Sequence, residues 1–207
     1  MSELFSIQLQ NRQQQGRDGV WLDLPTTTEQ VQAALRQIGI SSDNPQGLFI
    51  SGYFAEEEKR FAIPYNMVLA SNVDELNFLA SRLETLSTGE RAELNAALQA
   101  PQSELFSIGR ITDFPENVDY YVHLPDVHGP AQLGDYYLNR SGMVDMPEEW
   151  KGGIDTAQFG RYVAQQEQGV FTECGYLVKS GDAWQKVHEG QPVPEEYRVL
   201  SFPAPEV

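Results

Sequence analysis

Three histidines, one cysteine and thirty carboxylates are the residues of this 207-residue chain whose types could do chemistry. His123, Asp126 and His128 lie close together, and with Asp119 they offer the nitrogen and oxygen donors that divalent metals take. A metal-dependent hydrolase built on them is one reading. Their spacing, however, matches no established ligand pattern. His123 alternates with Tyr121 on an expected strand, and His128-Gly129-Pro130 reads as a turn, so the two are expected to be a strand histidine and a loop histidine, and no metal site is predicted. Cys174 follows Glu173, whose charge opposes a thiolate, and is expected to be a buried strand residue rather than a nucleophile. The chain has no glycine-rich phosphate loop, CxxC pair, HExxH helix or serine elbow. No catalytic group and no cofactor is expected, and the chain reads as a non-enzyme.

The carboxylates are another matter. Asp113, Glu116, Asp119, Asp126, Asp135, Asp145, Glu148, Glu149 and Asp155 fall in one stretch opposed only by Arg140 and Lys151. Phe114, Tyr120, Tyr121, Tyr136, Tyr137 and Trp150 are threaded through it, enough apolar matter to fold and hold the charges in place. The whole chain carries a net charge of −16, rising toward the C-terminal half. Such a field repels nucleic acid and anionic membrane and attracts basic partners. The tyrosine pairs could stack bases, but phosphate binding needs lysine and arginine that this stretch lacks, so they are assigned to core or interface. A folded, ordered display of carboxylates can instead imitate the phosphates of a duplex, which place one charge per about 1.7 Å of axis. The nine acids from Asp113 to Asp155 are the candidate partner-binding surface.

The elements that must position them are legible from periodicity. Residues 3–9 alternate as a half-buried strand, then come a polar loop with Gly16 and Gly19 and a second strand at Val20–Leu24. A Thr-Thr-Thr-Glu cap opens a helix bearing Val31, Ala34, Leu35 and Ile38 on one face, with Gly39 placed to end it. Leu48–Phe54 reads as a third strand, followed by a solvated charged loop at 56–60. Asn72 and Ser87 each sit three residues ahead of a glutamate and cap two further helices, and Pro101 stops the second. Ser103–Ile108 repeats Ser2–Ile7 letter for letter and is expected to be a strand of similar burial. Tyr120–Leu124 is an expected strand, Ala131–Leu138 and Asp155–Gln166 expected helices, and Val170–Val178, Trp184–Val187 and Tyr197–Phe202 expected strands, with a turn at Ser180-Gly181-Asp182 and a frayed end at Pro203-Ala204-Pro205. These boundaries predict an α+β fold in three modules: a small α+β domain at 1–66, a short helical domain at 67–101, and a C-terminal α+β domain at 102–207. One cysteine precludes an internal disulfide, no leader pattern opens the chain and no apolar run is long enough to span a bilayer, so a soluble cytoplasmic protein is expected.

Several stretches carry a resemblance. Gly19-Val20-Trp21-Leu22-Asp23-Leu24, Asp74-Glu75-Leu76-Asn77-Phe78-Leu79-Ala80, Leu133-Gly134-Asp135-Tyr136-Tyr137, Pro147-Glu148-Glu149-Trp150, Ile154-Asp155, Phe159-Gly160-Arg161 and Gly169–Tyr176 stand in an order and spacing similar to that of the ArdA-type antirestriction proteins of mobile genetic elements. The likeness runs over residues 5–178, and 180–207 looks like an extension found in part of the family. In one place the chain departs: where the family tends to carry a Tyr-aromatic-Asp-Tyr-Glu run before Gly-Arg-Asp, it has Gly153-Ile154-Asp155-Thr156-Ala157, and Tyr162 follows Arg161. The resemblance implies an elongated three-module molecule, typically a homodimer. It also implies a DNA mimic that blocks the DNA-binding groove of the methyltransferase and specificity subunits of type I restriction-modification enzymes. The alternative from charge alone is an acidic adaptor for another basic DNA-binding protein.

Overall fold

A computed structural model of the chain describes residues 4–14, 18–56 and 60–205. The start of the expected first strand, Gly16, and residues 57–59 of the expected charged loop lie outside the described residues. The architecture is mixed α+β, with two three-stranded antiparallel sheets. No helix among the described residues is long and apolar enough to cross a membrane. The chain divides into two compact units: unit 1 is residues 1–86, 105–115 and 186–207, and unit 2 is residues 87–104 and 116–185. The helical stretch expected as a module of its own is therefore divided between them.

In unit 1, strands β1 (Phe5–Asn11), β2 (Val20–Leu24) and β3 (Leu48–Phe54) form a sheet in the order β2-β1-β3. Phe5, Ile7 and Leu9 of β1 face the core, as the period of two requires, and helix α1 (Thr28–Gln37) covers them with Val31, Ala34 and Leu35. Asn11 ends the strand buried, and its amide nitrogen donates to the carbonyls of Ile38 and Gly39 at the C-terminus of α1. The Ile38 carbonyl, at the C-cap, is one that a helix end leaves without a partner. Gly39 has φ of 67°, the left-handed conformation that stops the helix where the sequence places a glycine. Helices α2 (Tyr65–Leu69) and α3 (Val73–Glu84) complete this face. The capping box of α3 is closed by Asn72 and Glu75, and Leu76, Leu79, Ala80 and Leu83 have no exposure.

Residues 186–205 also belong to unit 1, and they are held by side chains instead of a strand ladder. The Asp113 carboxylate, fully buried after the short helix α5 (Ile108–Thr112), accepts the backbone N–H groups of Val187, His188 and Glu189. Asp74 Oδ1 accepts those of Val199 and Leu200 at 2.8 and 2.7 Å. Asn77 donates to the Tyr197 carbonyl while its own oxygen accepts the Thr26 N–H. The Phe78 ring packs against both His188 and Tyr197. Pro203, expected in a frayed end, is buried, and its carbonyl accepts the Ser42 N–H.

Unit 2 holds helix α4 (Thr88–Gln99) and a second sheet, β4 (Tyr121–Leu124), β5 (Val170–Thr172) and β6 (Gly175–Lys179), in the order β4-β6-β5. Helices α6 (Pro130–Asn139) and α8 (Thr156–Glu167) cross at two glycines, with the four-residue helix α7 (Glu148–Lys151) between them in the chain. A Cβ on Gly160 would fall 1.8 Å from the Pro130 carbonyl oxygen, and one on Gly134 would fall 1.9 Å from that of Thr156, so no side chain fits at either crossing point. Val127, Leu133 and Tyr176 form the buried centre, with Val163 and Phe171 packed against it.

Four expected strands are corrected. Ser103–Ile108 is not a second copy of β1: it leads into α5, and Ser107 Oγ caps that helix by accepting the Arg110 N–H. The same six letters continue as Gln-Leu-Gln-Asn in one place and Gly-Arg-Ile-Thr in the other, and those continuations decide between ladder and helix. Val170–Val178 is a hairpin, β5 and β6 joined by Glu173-Cys174, with Gly175 at φ 120°. Trp184–Val187 and Tyr197–Phe202 form no ladder, because Asn117, Asp113, Asp74 and Asn77 already bond their backbone.

Two substitutions test this packing. Asp113→Ala leaves the N–H groups of residues 187–189 without the carboxylate that accepts them and is expected to cost about 2–3 kcal/mol. Amide exchange at 187–189 then quickens to the rate of an open segment. Gly160→Ala is expected to lower the melting temperature of unit 2 more than Gly152→Ala, where a Cβ meets nothing. Equal melting temperatures for these two variants would contradict the close crossing.

Candidate functional site

The nine acids separate on the structure. Asp113 is withdrawn from any surface, since it has no exposure and its two oxygens are taken by backbone donors of residues 187–189. The other eight belong to unit 2. Glu116 is half-buried, and Asp119, Asp126, Asp145, Glu148, Glu149 and Asp155 are exposed. Asp135, half-buried on α6, binds Asn139 and the guanidinium of Arg140, and these contacts hold its carboxyl below the usual range. Glu148 pairs with Lys151 across one turn of α7. Asp155 caps α8 by accepting the Gln158 N–H. The two cations of this stretch thus neutralise two acids, and among the described residues no ion pair joins the exposed Asp119, Asp126, Asp145 or Glu149 to a cation.

Two acids of unit 2 that the periodicity did not single out behave differently. Glu93 lies on α4, half-buried, with Oε1 shut away from solvent and without a hydrogen-bond donor. Burial first, then the neighbouring charges of Asp119 and Glu90, push its carboxyl up to about 8, so it is largely protonated at neutral pH. Glu167, at the end of α8, accepts hydrogen bonds from the hydroxyls of Tyr137 and Tyr176. Burial and that carboxylate keep both tyrosines protonated well above their ordinary value. The only advance signal for Glu93 was its place directly before Leu94 on the inward side of α4, which a charge count passes over.

The candidate metal donors do not converge. His123 Nε2 lies 2.7 Å from the Cys174 carbonyl oxygen, on β4, while Asp126 and His128 are exposed in the following turn. Among the described residues, no metal-holding cluster includes His123, Asp126 or His128. Cys174 is not within a strand but in the β5–β6 turn, half-buried beside Gln99, and burial raises its thiol above the ordinary value. Tyr120 and Tyr121 are buried, and Tyr136 and Tyr137 pack against the core of unit 2, so neither pair is a stacking platform. On the outer side of the unit 1 sheet, Trp21 and Phe54 are exposed and meet edge to face. Periodicity alone gave no sign of that pairing, which depends on the register of the strands.

Compared with models of protein families, residues 15–178 match the antirestriction protein family ArdA. The chain belongs to the ArdA family. No curated protein matches it in a separate comparison. The ArdA match takes in β2 and nearly all of unit 2, and it stops one residue short of the end of β6. It leaves out β1, the middle strand of the first sheet, and the whole of the segment held by Asp113 and Asp74. In this ArdA-family chain the nine acids from Asp113 to Asp155 therefore lie within the matched region, and the segment from 186 onward lies beyond it.

Glu93 gives this surface a pH dependence. Its folded pKa lies above the unfolded value of 4.5, so the folded state holds the extra proton between the two. Stability is then fullest below about 4.5 and falls as pH rises toward about 8. Glu93→Gln is expected to stabilise unit 2 by about 1 kcal/mol at pH 8, a value discounted for partial solvent access, and to leave it unchanged near pH 4. Urea denaturation at the two pH values measures the difference, and a constant gap between variant and parent would refute the assignment.

Proposed function

We propose that this chain is a non-enzymatic antirestriction protein that imitates duplex DNA and occupies the DNA-binding groove of a type I restriction-modification enzyme, on its methyltransferase and specificity subunits. Membership of the ArdA family supports the antirestriction role. The mimicry rests on one observation: unit 2 presents exposed carboxylates that no cation of its own neutralises, chiefly Asp119, Asp126, Asp145 and Glu149. Its sequence holds fourteen acids against five lysines and arginines, so its net charge is strongly negative. A groove built for phosphates meets in such a surface the same release of counterions and the same long-range attraction that DNA supplies. The protein acts in the cytoplasm, where incoming DNA meets the enzyme, and works as a homodimer. The acids do not need to move protons or bind a metal for this, and only their charge and placement matter.

Binding to a purified type I enzyme is expected to weaken steeply as salt rises, with the logarithm of affinity falling linearly against the logarithm of salt concentration. Changing Asp119, Asp126, Asp145 and Glu149 together to their amides removes four charges without breaking a hydrogen bond of the fold. The variant is expected to inhibit at least about tenfold less well and to show a shallower salt slope. Salt-independent binding, or full inhibition by the variant, would overturn the mimicry.

A further inference from the structure

A pocket of about 660 Å³ opens within unit 1, among the end of α2, the first turns of α3, the start of α5 and residues 188–193. That volume is ordinary for a site that takes a small molecule or a single side chain, roughly 300–1,000 Å³. Three rings line it: Phe78, Phe106 and His188. Phe106 is 63% exposed, unusual for a phenylalanine whose neighbours Leu105 and Ile108 are buried. It already carries a guanidinium, that of Arg110, 4.5 Å from its ring centre. The charged lining is Glu75 and Glu189, and no lysine or arginine takes part in it. Glu189 is committed to Arg110 and Lys186. Glu75 uses Oε2 to accept the Asn72 N–H in the capping box, which leaves Oε1 for a ligand.

Aromatic faces beside a carboxylate with an oxygen to spare select a cation: the ring quadrupole attracts it, and the carboxylate gives a charge-assisted hydrogen bond. A planar guanidinium satisfies both at once, since it can lie on a ring and present its edge to an oxygen. We propose that this pocket seats one arginine side chain of the protein partner. The inference rests on the reading of that partner as a DNA-binding enzyme, whose groove is rich in such side chains, and it adds to a diffuse attraction one buried anchor of the kind that carries most of the affinity of an interface. Residues 188–193 supply a wall of the pocket and lie beyond residue 178, where the family match ends. The anchor therefore joins Glu75, Phe78 and Phe106 of the matched region to a wall that the match does not cover.

The test is an amide-shift titration of the full chain with N-acetyl-L-arginine methylamide, with N-acetyl-L-glutamine methylamide as the neutral control. Saturable shifts are expected at 188–193 and in the first turns of α3 with the arginine probe alone. Glu75→Gln keeps the capping hydrogen bond, while Phe106→Ala also removes the ring under Arg110, so its melting temperature is compared with the parent's first; each is expected to weaken the probe about fivefold to tenfold. No saturable shift at these residues, an equal response to the glutamine probe, or unchanged affinity in both variants overturns the pocket. Salt-dependent inhibition of a type I enzyme by a chain that shows no saturable shift removes the anchor and leaves the mimicry standing. Saturable arginine binding by a chain that inhibits no such enzyme supports the pocket and removes the mimicry instead.

Discussion

The folded chain has to keep thirty carboxylates from driving it apart with only fourteen lysines and arginines to oppose them. It does so by giving its acids different surroundings. Asp74 and Asp113 are turned inward and satisfied by backbone N–H groups, where a carboxylate replaces a strand partner. Glu75, Glu90 and Asp155 stand at helix N-termini, where the dipole and the free N–H groups favour negative charge. Asp135 and Glu148 have their cations. Glu93 is held mostly neutral by its burial and its neighbours. What is left over is exposed, and it is this remainder, not the total, that a partner encounters.

Much of the fold was legible where local chemistry and global packing agree. The helix starts at Thr27, Asn72 and Ser87 were visible because a capping side chain and its reciprocal partner lie three residues apart in the chain. The strand Leu48–Phe54 was visible from its composition and its flanking turn residues. The rest depended on contacts distant in sequence. An extended stretch such as 184–187 carries every mark of a strand, yet its backbone is bonded by Asn117 and Asp113, some 70 residues away, and nothing in the local pattern announces a side chain doing the work of a ladder. The hexapeptide at 103–108 makes the same point from the other side, since its Phe-Ser-Ile is strand ahead of Gln8 and runs into a helix start ahead of Gly109.

The candidate surface was legible as a composition but not as a set of individuals. Charge counting treats Asp113 and Asp119 alike, although one is wholly enclosed and the other exposed. It also counts Glu93 as an anion that at neutral pH it largely is not. Burial separates these cases, and burial is set by which helix packs on which sheet. The placement of Asp119 close enough to raise the Glu93 carboxyl joins α4 to the approach to β4, two elements more than twenty residues apart in the chain.

Unit 1 is assembled from three separate stretches of chain, with all of unit 2's residues lying between its first and last parts. Every residue of unit 2 precedes residue 186, so only unit 1 depends on the last stretch of the chain. That stretch brings the N–H groups that the Asp74 and Asp113 carboxylates accept, the Tyr197 carbonyl to which Asn77 donates, and the two aromatic neighbours of the Phe78 ring. The strands that come first along the chain thus belong to the unit whose sequence is completed last, so a chain cut short after residue 185 would keep all of unit 2 and lose part of unit 1.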